Sequence, residues 1–167
     1  MNQLPLPMTP SQLITNVLDP AFEWLPERMD SAGARVMMIA MALQESMLAY
    51  RRQMGNGPAK GLWQNERGGG VLGSLSHPAS KHHMQRACEE FGVNFDSTSV
   101  WNRLETDDVF AAIQSRLLLW TDAQALPPIH DQNAAWRLYM RVWRPGKPHP
   151  DKWPANHARA VRALGLA

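Results

Sequence analysis

Residues 36–66 read VMMIAMALQESMLAYRRQMGNGPAKGLWQNE, and this stretch decides the fold. From Val36 to Leu43 no residue is polar, so a helix here has to lie inside the protein. One carboxylate, Glu45, stands in the middle of the stretch. Met38, Met41, Ala42, Leu48 and Ala49 share its helix face by their spacing, so the acid faces apolar neighbours. A carboxyl desolvated in this way keeps its proton to a pH of about 6 to 7, where it can protonate a leaving group as a general acid. The competing reading makes Glu45 a structural ion pair with Arg51 or Arg52 at the end of the helix.

After Tyr50 the apolar pattern stops. A loop through Gly55, Asn56, Gly57, Pro58 and Gly61 leads to Leu62-Trp63-Gln64-Asn65-Glu66 and then Gly68-Gly69-Gly70. Glycine at this density marks backbone that turns tightly or approaches a ligand closely. Trp63 and Gln64 are then expected as an aromatic platform and a hydrogen-bonding amide beside Glu45.

Glu45-Ser46 at the end of a buried helix, followed by Gly61-Leu62-Trp63-Gln64, resembles the Glu-Ser and Gly-Leu-Met-Gln motifs of the lytic transglycosylases and goose-type lysozymes. The resemblance implies a lysozyme-like fold, all-α or α with a minimal β-hairpin, and cleavage of the MurNAc-GlcNAc bond of bacterial peptidoglycan. It makes Glu45 the catalytic acid, with Ser46 and Gln64 as substrate-side residues. Glu66 stands where goose-type lysozymes carry an aspartate that holds the attacking water, which leans toward a muramidase over a lytic transglycosylase. An inverting hydrolase needs such a second carboxylate about 6.5–9.5 Å from the acid. A solvated Glu66 paired with Arg67 is the plain alternative. Trp63 replaces the usual methionine, and an upstream carboxylate of goose-type enzymes has no counterpart in Met54 to Gly57.

By the same resemblance Tyr139, on a later helix, corresponds to a family tyrosine that approaches the acid, although Met140 stands where asparagine is expected, and Gln64, Trp63 and Tyr139 are expected to hold the sugar. A core tyrosine with a satisfied hydroxyl is the other reading.

At 167 residues the chain fits a single domain, residues 1–167, able to bury a real core. A hydrophobic fraction of 44% argues against disorder, and a net charge of only +2 leaves any attraction to anions to local patches. Cys88 alone cannot make an internal disulfide and fits a reducing compartment. Met1 to Met8 has neither a basic start nor a long apolar run, so no secretory signal is expected there. The apolar run is too short to span a bilayer. These features suit a bacteriophage or prophage protein, made in the bacterial cytoplasm and released through a holin-type lesion as an endolysin or carried in the virion.

Outward from the central helix, Thr9-Pro10-Ser11 starts a helix that Asp19-Pro20 is expected to interrupt, and a second short helix runs to Pro26. Asp30 or Ser31 caps the central helix, which is expected to run to about Met54. Val71 to Ser76 reads as irregular or briefly extended. Helices are expected from Ser80 to Gly92, from Ser99, from Thr106-Asp107-Asp108, from Asp131 to Arg144, and from Ala155 to about Leu164.

His77, His82, His83 and Cys88 fit no zinc spacing, so no metal is expected, and no phosphate-binding loop or other cofactor motif is present. The arginines at 137, 141 and 144 suit stem-peptide carboxylates or plain solvation equally, and nearly balanced charge argues against nucleic acid. The expected partner is the peptidoglycan glycan strand, with other phage proteins as further candidates and a monomeric state. A lysozyme-like protein that binds glycan or builds a virion without turnover is the alternative, and a small DNA-binding helical protein ranks below it.

Overall fold

The computed structural model describes residues 3–167; Met1 and Asn2, the start of the segment read as lacking a signal, lie outside them. The described chain is mostly helical, 62% by residue, with one two-stranded antiparallel sheet, and so belongs to the all-α class with a minimal hairpin. No helix among the described residues is long and apolar enough to cross a membrane.

Thr9 caps α1 (Pro10–Leu13) through a reciprocal pair of bonds with Gln12. Asp19-Pro20 does not interrupt the helical path as expected. A π-turn, Ile14–Leu18, carries it directly into α2 (Asp19–Trp24). The Asp19 N–H reaches back to the Ile14 carbonyl, and the widened turn accommodates Pro20, which has no N–H, at the head of α2.

The central helix α3 (Ala32–Ser46) is capped by Ser31, whose hydroxyl accepts from the Ala34 N–H, while Asp30 holds Arg35 instead. Every residue from Val36 to Leu43 is buried. The helix ends at Ser46, well short of Met54, because Met47 and Leu48 both turn left-handed (φ 53° and 55°). That turn sends Leu48 back into the core, fully buried.

The chain then runs beside β1 (Ala59–Lys60), with an Arg52–Lys60 bridge, and β1 pairs with β2 (Asn65–Glu66). Val71 to Ser76 is helical, not extended: a turn at Arg67–Val71, kinked at Gly69 (φ −106°, ψ −106°), leads into α4 (Leu72–Ser76). α5 (Lys81–Phe91) ends at left-handed Gly92 as expected. The Ser80 hydroxyl caps nothing and donates to the Ser74 carbonyl. Asp96, not Ser99, caps α6 (Ser97–Thr106), and its carboxylate accepts from both the N–H and the hydroxyl of Ser99.

Capped by Asp107, α7 (Asp108–Trp120) buries twelve of its thirteen residues, among them Asp108, Gln114, Ser115 and Arg116. These polar groups are paired. Arg51 grips Asp108 with two bonds of 2.8 and 2.7 Å, and Arg116 donates to the Met29 carbonyl. Gln114 and Ser115 accept from the Asn65 amide, and Gln114 donates to the Gly70 carbonyl and the Ser74 hydroxyl. The hairpin and the glycine loop are therefore fastened to α7 by buried hydrogen bonds, each costly to leave unmade.

α8 (Gln132–Trp143) ends at left-handed Arg144, and α9 (Trp153–Ala163) starts two residues before the expected Ala155 and packs along α3. One apolar core extends from Met8 to Val161.

A methyl group at Gly70 would collide with Asn65 Oδ1 and lie 2.9 Å from Leu118 Cδ2, whereas one at Gly73, in α4, would meet Leu118 Cδ1 at 3.4 Å. Gly70→Ala is expected to lose about 1–3 kcal/mol in urea denaturation. Gly73→Ala should lose nothing and can gain up to about 1 kcal/mol from helix propensity. Equal effects at the two positions would count against the buried Asn65 anchor.

Candidate active site

Glu45 sits in the last turn of α3, mostly buried, with a tyrosine on its carboxyl and another on its backbone carbonyl. From α8, the Tyr139 hydroxyl donates to Glu45 Oε1 at 2.5 Å across 94 residues of sequence. From the segment after α3, the Tyr50 hydroxyl donates to the Glu45 backbone carbonyl at 2.9 Å and so ties down the helix end. Oε2 has no hydrogen-bond partner among the described residues and is not wholly enclosed.

Burial pushes the Glu45 carboxyl up to about 7, against the opposing hydrogen bond from Tyr139, which favours the ionised form. Neither Arg51 nor Arg52 forms an ion pair with it; Arg51 belongs to Asp108. The Tyr139 hydroxyl is held well above its ordinary range, first by burial and then by the neighbouring carboxylate, so it remains a donor.

An aromatic scaffold fixes that donor. Tyr139 stacks on Trp153 of α9 with centroids 5.2 Å apart and planes 11° from parallel, and Trp136 packs at an angle against both. Trp153 is itself locked by its indole N–H to the Gln132 carbonyl. Gln44, the residue before Glu45, donates to the His149 carbonyl and accepts from Asn156 of α9, so the helix end is clamped from the same side. Tyr50, Trp153 and Asn156 were not singled out as site residues from the sequence. The Trp153 segment carried the one available signal, a tryptophan within a proline-rich stretch.

Three expected substrate-side residues are corrected. Tyr139 is only 2% exposed and its hydroxyl is committed to Glu45, so it positions the acid and does not hold a sugar. Ser46 is fully buried, its hydroxyl donating to the Ala42 carbonyl and accepting from the Leu48 N–H, so it shapes the helix end and cannot reach a sugar. Trp63 is only 1% exposed, its indole N–H on the Met38 carbonyl, so it forms core and not a platform. Gln64 is partly exposed and left-handed (φ 49°), with its amide donating to the Gly61 carbonyl. The Trp143 indole N–H holds the Trp63 carbonyl just before it.

Glu66 is exposed, turned opposite to buried Asn65 by strand alternation. It lines a groove with Arg52, Arg67 and Trp101, and Glu45 is not part of that lining. Cys88 is buried, and its thiol is pushed up to about 11 by desolvation, which makes it inert packing. Arg141 of the arginine stripe is committed to Asp122 by two bonds. Compared with protein-family models, characterised proteins and solved structures, the chain shows no significant match.

Glu45 starts from 4.5 in the unfolded chain and reaches about 7 when folded, so its burial costs nothing below pH 4.5 and its full amount above pH 7. Stability is thus lost as pH rises through this window. Glu45→Gln, which keeps the Tyr139 bond without the charge, should therefore match the wild type near pH 4 and exceed it by about 3 kcal/mol at pH 8. Thermal denaturation across that range checks it, and a gap independent of pH would refute a buried, late-ionising carboxyl.

Proposed function

We propose that the chain is a glycosidase that cleaves the MurNAc-GlcNAc bond of peptidoglycan glycan strands, with Glu45 as its general acid. The observation that carries this reading is the Glu45–Tyr139 pair: a mostly buried carboxyl with a pKa near 7, one oxygen fixed by a tyrosine and the other without a hydrogen-bond partner among the described residues. Such a group is protonated and ionised in comparable amounts at neutral pH, the condition in which one residue can first give a proton and then take one back. The Glu45-Ser46 and Gly61–Gln64 motifs supply the substrate class, through their resemblance to lytic transglycosylases and goose-type lysozymes.

In this proposal the Tyr139 hydroxyl occupies Oε1, so the transferable proton of Glu45 resides on Oε2. That proton passes to the glycosidic oxygen as its bond to the anomeric carbon breaks. The resulting carboxylate then takes the proton of the attacking nucleophile. Where the nucleophile is the C6 hydroxyl of the muramic residue, Glu45 alone completes the cycle and a 1,6-anhydro end forms. The Tyr139–Glu45 pair, which contains no second carboxylate, supports this single-carboxylate route. Hydrolysis is the second reading, carried by the position of Glu66 two residues after Gln64; water would then attack and reducing ends would form. A phage or prophage origin, with action on the wall after holin-type release or from the virion, accords with this proposal.

Mass spectrometry of soluble products from purified peptidoglycan separates the routes. Anhydro ends that disappear with Glu45→Gln, which should lower the rate by about 100-fold or more, support the single-acid route. Reducing ends move the mechanism to Glu66-assisted hydrolysis. Intact glycan from the wild type would overturn the proposal. Tyr139→Phe should keep the stack on Trp153 but remove the bond that favours the carboxylate, so the high-pH limb of kcat/KM should move upward. An unmoved limb would show that Tyr139 does not tune the acid.

A further inference from the structure

Between the loop at Asn56–Pro58, the end of the hairpin and α6 lies a groove of about 530 Å³. That volume is in the range of small-ligand sites. Three charges line it, Arg52, Arg67 and Glu66, together with Trp101 and Pro58. All three charged residues are exposed, and among the described residues none of them forms an ion pair with another or with any third group.

The wall behind them is different. Lys60 is saturated, pairing with Glu105 at 3.1 Å and Asn102 at 3.1 Å and lying 3.8 Å from the Trp101 ring centroid. The Trp101 indole N–H is fixed on the Pro58 carbonyl at 2.7 Å, so the ring is held in place at the groove. Arg67 is steadied by a bond from Nη1 to the Thr98 hydroxyl, which leaves the rest of its guanidinium free. A rigid, satisfied wall thus presents two guanidinium groups, one carboxylate and an indole.

Gly68 adds an independent observation. It lines the groove, a side chain there would meet nothing within 4 Å, and its φ is not left-handed. Neither packing nor backbone conformation requires glycine at this position. A bare backbone on the wall of a groove suits the close approach of a ligand.

We propose that this groove binds the peptide branch of the glycan, a stem peptide that carries several carboxylates and, on its diamino acid, one ammonium group. The inference rests on the peptidoglycan reading for its substrate class. Arg52 and Arg67 take carboxylates, for which the planar guanidinium fork is suited. Glu66 takes the ammonium group, and Trp101 packs against the aliphatic part of the peptide. This assigns Glu66 to recognition in place of water activation. A neutral or purely anionic ligand would leave Glu66 unpaired between two arginines; a zwitterionic peptide satisfies all three groups.

Isothermal titration of the full chain with a synthetic stem tetrapeptide blocked at its N-terminus, N-acetyl-L-Ala, D-isoGlu, diamino acid and D-Ala, tests this apart from cleavage. Arg52→Ala and Arg67→Ala should each weaken binding by about tenfold, the loss of one exposed charge-assisted contact. Acetylation of the side-chain amine should weaken wild-type binding by a similar factor and have no further effect on Glu66→Gln. Gly68→Val should weaken binding while leaving the melting temperature unchanged. Absence of binding at millimolar peptide, or affinity indifferent to all four substitutions, would overturn the assignment. Peptide binding by a protein that leaves glycan intact would uphold the groove and defeat the glycosidase proposal, and glycan cleavage without peptide binding would do the reverse.

Discussion

The left-handed pair Met47–Leu48 is the constraint on which the candidate site depends. Two consecutive residues with side chains in this conformation cost about 1–2 kcal/mol each, so the surrounding structure has to hold them there. It does so from several sides. Leu48 is fully buried, its carbonyl accepts from the Met8 N–H, and its own N–H reaches the Ser46 hydroxyl. Because the helix stops one residue after Glu45, the acid occupies a helix end that is apolar along its flank and open at its tip. A helix continued to Met54 would have enclosed Glu45 within regular helix and carried Arg51 away from Asp108.

The same reversal starts the second half of the architecture. Arg51 reaches the buried end of α7, and the next residues run alongside β1, so the hairpin is laid down against α7. From there, strand alternation divides the labour between adjacent residues. Asn65 turns inward, where Gln114 and Ser115 satisfy its amide, and Glu66 turns outward into the groove. The inward anchor fixes the outward side chain, since a strand of two residues has little rigidity of its own. Gly70 belongs to this anchor, because only an absent side chain lets Asn65 lie over it.

What the sequence disclosed follows from the range of the interactions involved. The buried run of α3, the acid within it and the tyrosine on α8 were legible because apolar periodicity and short motifs are local properties. The end of α3 was not. Met47, Leu48 and Ala49 are good helix formers, and the contact with Met8 and the burial of Leu48, beside the local bonds to Ser46, hold them out of the helix. Trp63 was read as substrate-facing for the same reason, since its indole bond goes to Met38 on another element; Ser46 was read so from the motif, whereas its hydroxyl bonds the nearby Ala42 and Leu48 inside the core. Asp19-Pro20 was read as an interruption and Val71 to Ser76 as irregular or briefly extended, whereas a π-turn carries helix past Pro20 and α4 covers Leu72–Ser76.

The acid itself is a balance between two opposed effects, and neither alone would suit it to work near neutrality. Burial without Tyr139 would raise the carboxyl further and leave it a weaker acid; Tyr139 without burial would leave it ionised at neutral pH. The balance requires a donor that stays neutral while in contact with a carboxylate, and the desolvated Tyr139 hydroxyl meets that need. It also requires that the donor not swing away when Glu45 loses its charge. The parallel stack on Trp153, locked in turn on Gln132, removes that freedom, and the Gln44–Asn156 bond holds the other partner from the same helix. α9, which carries no acid or nucleophile of the proposed reaction, thereby fixes both members of the pair whose separation sets the proton affinity of the site.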